Sequence, residues 1–172
     1  MAGPGQCFIS YAHQDHGGFE RLLVHLTAVA KQFKFELSHD RRIKPGFYWN
    51  DVIKEKIQRS DIFVPLITND FFASDYISQH ELPAMLARHQ KANALLAPVV
   101  YRESCWLNYF GNYIELAPKN ARHNLVPVFK WRDREEALAV AANAISSSIE
   151  EWFGVKPTPV FSAPPPSLRG KP

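Results

Sequence analysis

The run Asp61-Ile62-Phe63-Val64-Pro65-Leu66-Ile67 constrains the fold most. After Asp61 it is continuously apolar and rich in β-branched and aromatic residues. A strand with one wet face alternates apolar and polar side chains. A strand without alternation is covered on both faces, which is the habit of parallel sheets. Pro65 interrupts the reading, because a proline donates no ladder hydrogen bond and sits best near a strand end or bulge.

The flanking sequence supplies the covering layers. Cys7 to Ala12 is a short β-favouring run. Phe19, Leu22, Leu23, Leu26, Val29, Ala30 and Phe33 follow at helical spacing. Phe35 to Leu37 reads as a weak, edge-type strand. Asp40 to Trp49 reads as a loop with turn chemistry at Pro45-Gly46. Asn50 or Asp51 is the expected cap of a helix burying Val52, Ile53 and Ile57. Leu95 to Tyr101 and Leu125 to Phe129 are further strands. Between them, Trp106, Tyr109, Phe110 and Tyr113 imply a short helix packed on the body. Asp133 to Phe153 is a final helix. Strand and helix alternate five times, so the expected fold class is α/β: a five-stranded parallel sheet, helices on both faces, with right-handed crossovers. From Val155 the composition turns proline-rich, so 6–154 is read as the domain and 155–172 as a linker or disordered tail.

Composition narrows the class of function. The 172 residues carry a formal charge of +3 without a dense basic stripe, so direct nucleic-acid contact is not expected. Two cysteines, Cys7 and Cys105, give neither a disulfide framework nor metal spacing, and both are expected to pack. The seven histidines form no ligand cluster. Neither standard Gly-rich phosphate cradle is present, and no nucleophile elbow. No leader and no membrane-spanning run is recognisable, so a cytoplasmic setting is expected.

Ligands of open parallel sheets sit at the carboxyl ends of the strands. Here those ends are Ser10 to Asp15, Ser38 to Trp49, Thr68 to Glu81, and Tyr101 onward. One of them contains Ser74-Asp75-Tyr76-Ile77-Ser78-Gln79-His80-Glu81-Leu82-Pro83. Ser78 and Glu81 have the spacing of a capping box, in which Glu81 bonds back to the Ser78 N–H. The competing reading turns Glu81 into a ligand pocket.

Four stretches in order resemble the Toll/interleukin-1 receptor (TIR) domain, specifically its prokaryotic, NAD-cleaving kind. They are Cys7 to Asp15, Asp40 to Trp49 with Pro45-Gly46, Ser60 to Val64, and Ser74 to Leu82. The segments Arg102 to Trp106, Leu116 to Pro118, Val126 to Val128 and Trp131 to Asp133 continue the likeness. The resemblance implies a flavodoxin-like fold and, in enzymatic members, cleavage of the nicotinamide–ribose bond of NAD+ by a hydrolase or cyclase. It places the catalytic role on Glu81. Stacking surface is expected from Tyr11, Phe47, Tyr48 and Trp49, polar contacts from Ser10, Asp15 and Arg41. Several active members have Trp four residues before the glutamate. That position is Ile77 here, and Tyr76 beside it is the expected substitute wall. NAD+ is then a substrate; neither cofactor nor metal is implied. Implied partners are other TIR domains, by homotypic self-association, and a fused or separate sensor in anti-phage defence or signalling. The alternative is a non-catalytic TIR–TIR assembly module.

Overall fold

The computed structural model describes residues 3–40, 49–111 and 114–159. The chain runs through β1 (Gln6–Ser10), α1 (His16–Phe33), β2 (Glu36–Ser38), α2 (Trp49–Arg59), β3 (Ile62–Ile67), α3 (Asn69–Ala73), α4 (Leu82–Gln90), β4 (Leu95–Leu96), β5 (Val99–Val100), α5 (Leu107–Phe110) and α6 (Arg134–Phe153). The strands pair in parallel in the order β2-β1-β3-β4, with β5 also on β3. The expected five-stranded parallel α/β sheet is therefore present.

Strand alternation sorts the core into two layers. Cys7, Ile9, Ile62, Val64 and Leu66 point to α1 and α6 and pack with Leu22, Leu26, Leu138 and Ile145. Phe8, Phe63 and Ile67 point to the other face and pack with Ile53, Ile57, Phe71, Leu82 and Met85. Each large side chain buried this way contributes about 1.5–3 kcal/mol. Both layers cross β3, which is why its sequence lacks alternation.

Pro65 lies inside β3, opposite Ser10 of β1. On its other side, β3 meets β4 at Ile62↔Leu95 and Phe63↔Leu96, then β5 at Leu66↔Val99 and Ile67↔Val100. The register is the same on both sides of the gap, so Pro65 faces Pro98. Neither has an N–H to give, and the expected single strand from Leu95 to Tyr101 splits into two.

The expected strand Leu125 to Phe129 does not form. Leu125 makes an isolated antiparallel bridge with Lys119, and Val128–Lys130 is a 3₁₀ turn. Pro127 removes a donor, and the position beside β5 is taken by Ala117, which accepts from the Val100 N–H at 2.7 Å. Two smaller expectations also change. Asn50 and Asp51 lie inside α2, which already includes Trp49. Cys105 is exposed, whereas Cys7 is buried as expected. The aromatic connection does hold the short helix α5, with Phe110 buried and Tyr109 stacked on Phe72 at 4.0 Å. Residues 41–48, Asn112, Tyr113 and the tail from Val160 lie outside the described residues.

Gly18 permits one close approach. A Cβ there would lie 2.6 Å from Tyr101 Cζ, inside a buried ring, whereas a Cβ on Gly17 meets nothing within 4 Å. We expect Gly18→Ala to cost about 1–3 kcal/mol through overpacking, and Gly17→Ala to stay within about 1 kcal/mol of the parent. Urea unfolding of the two variants side by side measures the difference.

Candidate functional site

The backbone that carries Glu81 is a π-helical turn, Ile77–Glu81, running directly into α4. The Leu82 N–H reaches back five residues to the Ile77 carbonyl. Pro83, the next residue, has no N–H to continue a regular ladder. Placing the wide turn ahead of it keeps the chain helical without a clash. Widening the turn buries both Ile77 and Glu81, each 4% exposed.

The capping box is not made. The Ser78 N–H goes to the Ser74 carbonyl at 2.9 Å, and the Ser78 hydroxyl donates to the same oxygen at 2.8 Å. Glu81 instead turns to the sheet, where it accepts a short hydrogen bond from the Ser10 hydroxyl at the end of β1. Burial pushes its carboxyl up to about 7; the negative charge of Asp40 adds to the rise, and the Ser10 hydrogen bond opposes it. The hydroxyl of Tyr76 is pushed up to about 12, first by burial and then by the charges of Glu81 and Asp51.

A cavity of about 230 Å³ opens at Glu81. Its described lining comes from Tyr11 to Gln14 after β1, Asp40 after β2, Trp49 of α2, Asp70 and Ala73 of α3, and Ser74, Tyr76, Ile77 and Glu81. The carboxyl ends of β1, β2 and β3 thus converge, at the point where the order 2-1-3 switches direction. The rings of Trp49 and Tyr76 lie 4.0 Å apart at 50°, and the Tyr76 hydroxyl donates to Asn50 Oδ1 at 3.0 Å. Tyr11, which lines the cavity, is stacked on Phe19 at 3.9 Å.

Of the residues expected at the site, Tyr11, Trp49, Tyr76 and Glu81 line the cavity, and Ser10 stands behind Glu81. Asp15 does not line it. Its Oδ2 accepts from Thr68 Oγ1 at 2.5 Å and its Oδ1 lies 3.9 Å from Arg102 Nε, tying the turn after β1 to the cap of α3. Burial pushes the Asp15 carboxyl above its usual range, followed by the opposing Thr68 hydrogen bond. Arg41, Phe47 and Tyr48 lie outside the described residues. Asp40, His13 and Asp70 were not anticipated. The strand-end rule includes all three positions but cannot say which side chains turn inward.

A larger cleft, about 1020 Å³, lies between α6, β4 and residues 114–123. It is away from the carboxyl edge and gathers mostly aliphatic side chains, so chemistry points to the smaller cavity. Among the described residues no group of three His, Cys, Asp or Glu is arranged to hold a metal. A buried, partly protonated carboxylate beside an aromatic pair can stabilise a developing cation or exchange a proton near neutral pH.

The burial of Glu81 has a stability consequence. Its carboxyl holds a proton in the folded chain at pH values where the unfolded chain, near 4.5, has released it. The folded state binds more protons over that interval, so stability falls as pH rises from about 4.5 to about 7 and is level above. Glu81→Gln cannot ionise and keeps an acceptor for Ser10. We expect it to raise unfolding free energy by roughly 3 kcal/mol near pH 8 and by almost nothing near pH 4. Denaturant titrations at the two pH values check this, and an equal effect at both contradicts it.

Comparison with known proteins identifies the family and the fold. The sequence matches the family model of the TIR domain over residues 7–142. An uncharacterized protein, y4lF, of Sinorhizobium fredii is 31% identical over 158 residues, covering 92% of this chain and 46% of that protein. The chain thus spans about half the length of this curated relative. The TIR domain of the Toll-related receptor TRR-2 from Hydra magnipapillata superposes with a TM-score of 0.55 at 18% identity, over 84% of this chain and 97% of that one. A chain of the RPS4 and RRS1 TIR domain heterodimer gives 0.51 at 12% identity, over 88% and 99%. These two structures speak to the fold alone. With its sheet order, its carboxyl-edge cavity and a family match over most of its length, the chain belongs to the TIR domain family.

Proposed function

We propose that this TIR domain cleaves the nicotinamide–ribose bond of NAD+, with Glu81 as its catalytic carboxylate. The observation that carries the reading is the orientation of Glu81: buried, held by Ser10, and facing a cavity walled by Trp49 and Tyr76.

The chemistry suits a single carboxylate. Glycosidases use two because an alkoxide leaving group needs a proton. Nicotinamide departs from a pyridinium: the C1′–N bond breaks, its electron pair goes to the ring nitrogen, and neutral nicotinamide leaves without a general acid. The ribose becomes an oxocarbenium ion, whose charge an adjacent anion stabilises. Water then adds at C1′ and releases one proton, giving ADP-ribose; attack by an atom of the same molecule gives a cyclic product instead. Tyr76 takes the part of the aromatic wall that Ile77, buried in the core, does not supply.

Glu81 acts as the anion, so the rate should rise with pH through about 7, where its carboxyl ionises. The decisive assay follows free nicotinamide from the purified chain and NAD+. We expect Glu81→Ala and Glu81→Gln to lower release by roughly a hundredfold or more. Release that survives both substitutions excludes the role of Glu81.

A second reading, a TIR–TIR assembly module, is favoured by the exposed large side chains Trp49, Leu107 and Tyr109 and by the heterodimer formed by the RPS4 and RRS1 TIR domains. The two readings combine if homotypic association completes the rim at Trp49. Activity per chain should then rise with protein concentration and fall on dilution. Strict proportionality without a lag contradicts assembly-dependent turnover. In this reading the domain is the effector of a cytoplasmic signalling or anti-phage system whose sensor is fused or separate.

A further inference from the structure

We infer that Asp40 is a second working carboxylate of this cavity, a positioning residue that accepts hydrogen bonds from the substrate's ribose hydroxyls while Glu81 faces the reacting carbon. The inference rests on the NAD+ reading and adds to it the part of the substrate that the site recognises.

Asp40 follows β2 and reaches the cavity from a different element than Glu81 does. Its side chain is 12% exposed, and Oδ1 is fully buried with no hydrogen-bond donor among the described residues. Oδ2 lies 4.0 Å from Nε2 of the exposed His13. Buried carboxylate oxygens are almost always satisfied, so a carboxylate in a cavity wall with one oxygen unpartnered and the other reaching no nearer than 4.0 Å to an exposed His13 calls for a donor that arrives with the ligand. A sugar hydroxyl is such a donor, and a neutral diol adds no charge for the acidic wall to repel.

The electrostatics of the lining point the same way. Glu81, Asp40 and Asp70 all line the cavity, and no Lys or Arg is among its described lining residues. Such a wall repels phosphate and attracts a pyridinium. The cationic nicotinamide–ribose end of NAD+ therefore enters, and the pyrophosphate points out. The negative charge of Asp40 also acts on Glu81, raising its carboxyl. The polar and titratable groups that share the cavity wall with Glu81 or bond to it are Ser10 of β1, His13 after β1, Asp40 after β2, Asp70 of α3, and Tyr76 ahead of its own turn. Of these, Asp40 is the carboxylate whose charge raises the Glu81 carboxyl.

Asp40→Asn tests the inference, because it keeps the size and removes the charge. We expect KM for NAD+ to rise about tenfold with a smaller change in kcat, as for a lost charge-assisted hydrogen bond. The acidic limb of the pH profile should move to lower pH, since Glu81 loses a negative neighbour, and the thermal midpoint should stay. A purely structural role leaves KM unchanged, so an unchanged KM overturns the inference. A second measurement does not depend on turnover. NAD+ affinity is compared by NMR titration between Glu81→Gln and the double variant Glu81→Gln/Asp40→Asn. Weaker binding by the double variant supports the positioning role, and equal binding overturns it. Nicotinamide release by the parent chain separately decides the NAD+ reading, so the two failures are distinguishable.

Discussion

Every side chain of β3 is buried, and the strand is paired on both edges, to β1 on one side and to β4 and β5 on the other. Two-sided burial requires a helical layer on each face, and parallel pairing requires each connection to return over the sheet. The α1/α6 layer, the α2/α4 layer and the alignment of all strand ends at one edge follow from that strand. Functional groups collect at that edge because only loops lie there, and loops can be shaped without disturbing the core.

Glu81 sits where two demands meet. The turn Ile77–Glu81 must bury Ile77 among Phe71, Phe72 and Leu82 to close the lower layer. Pro83 denies the ordinary helical hydrogen bond at the next position. The π-helical turn meets both demands, and the Glu81 side chain turns inward from it to Ser10. Burying it raises its proton affinity toward neutrality, a cost in stability that packing alone gives no reason to accept. That is the physical basis for treating the site as functional.

Asp40, Tyr76 and Trp49 show how a site can be assembled from parts that are unremarkable singly. Trp49 opens α2, Tyr76 precedes the turn and Asp40 lies just past the end of β2. Each has an ordinary structural role in sequence. They share a cavity because β1, β2 and β3 lie side by side, in an order different from their order in the chain.

The amino-acid sequence alone determined the α/β class and the helices α1, α2 and α6, because hydrophobic period and length are local properties, and it marked the strand ends at which the cavity opens. It also pointed to Glu81, through the order of short motifs. It did not reveal that Pro98 would face Pro65, since cross-strand partners are set by register. It overestimated Leu125 to Phe129, whose β-favouring side chains lost their place beside β5 to Ala117. It left open whether Glu81 would bond to Ser78 or turn to the sheet. Tertiary structure decided those points, because each depends on a group brought near by the sheet from a distant part of the chain: Ser10 for Glu81, Pro65 for Pro98, and Val100 for Ala117.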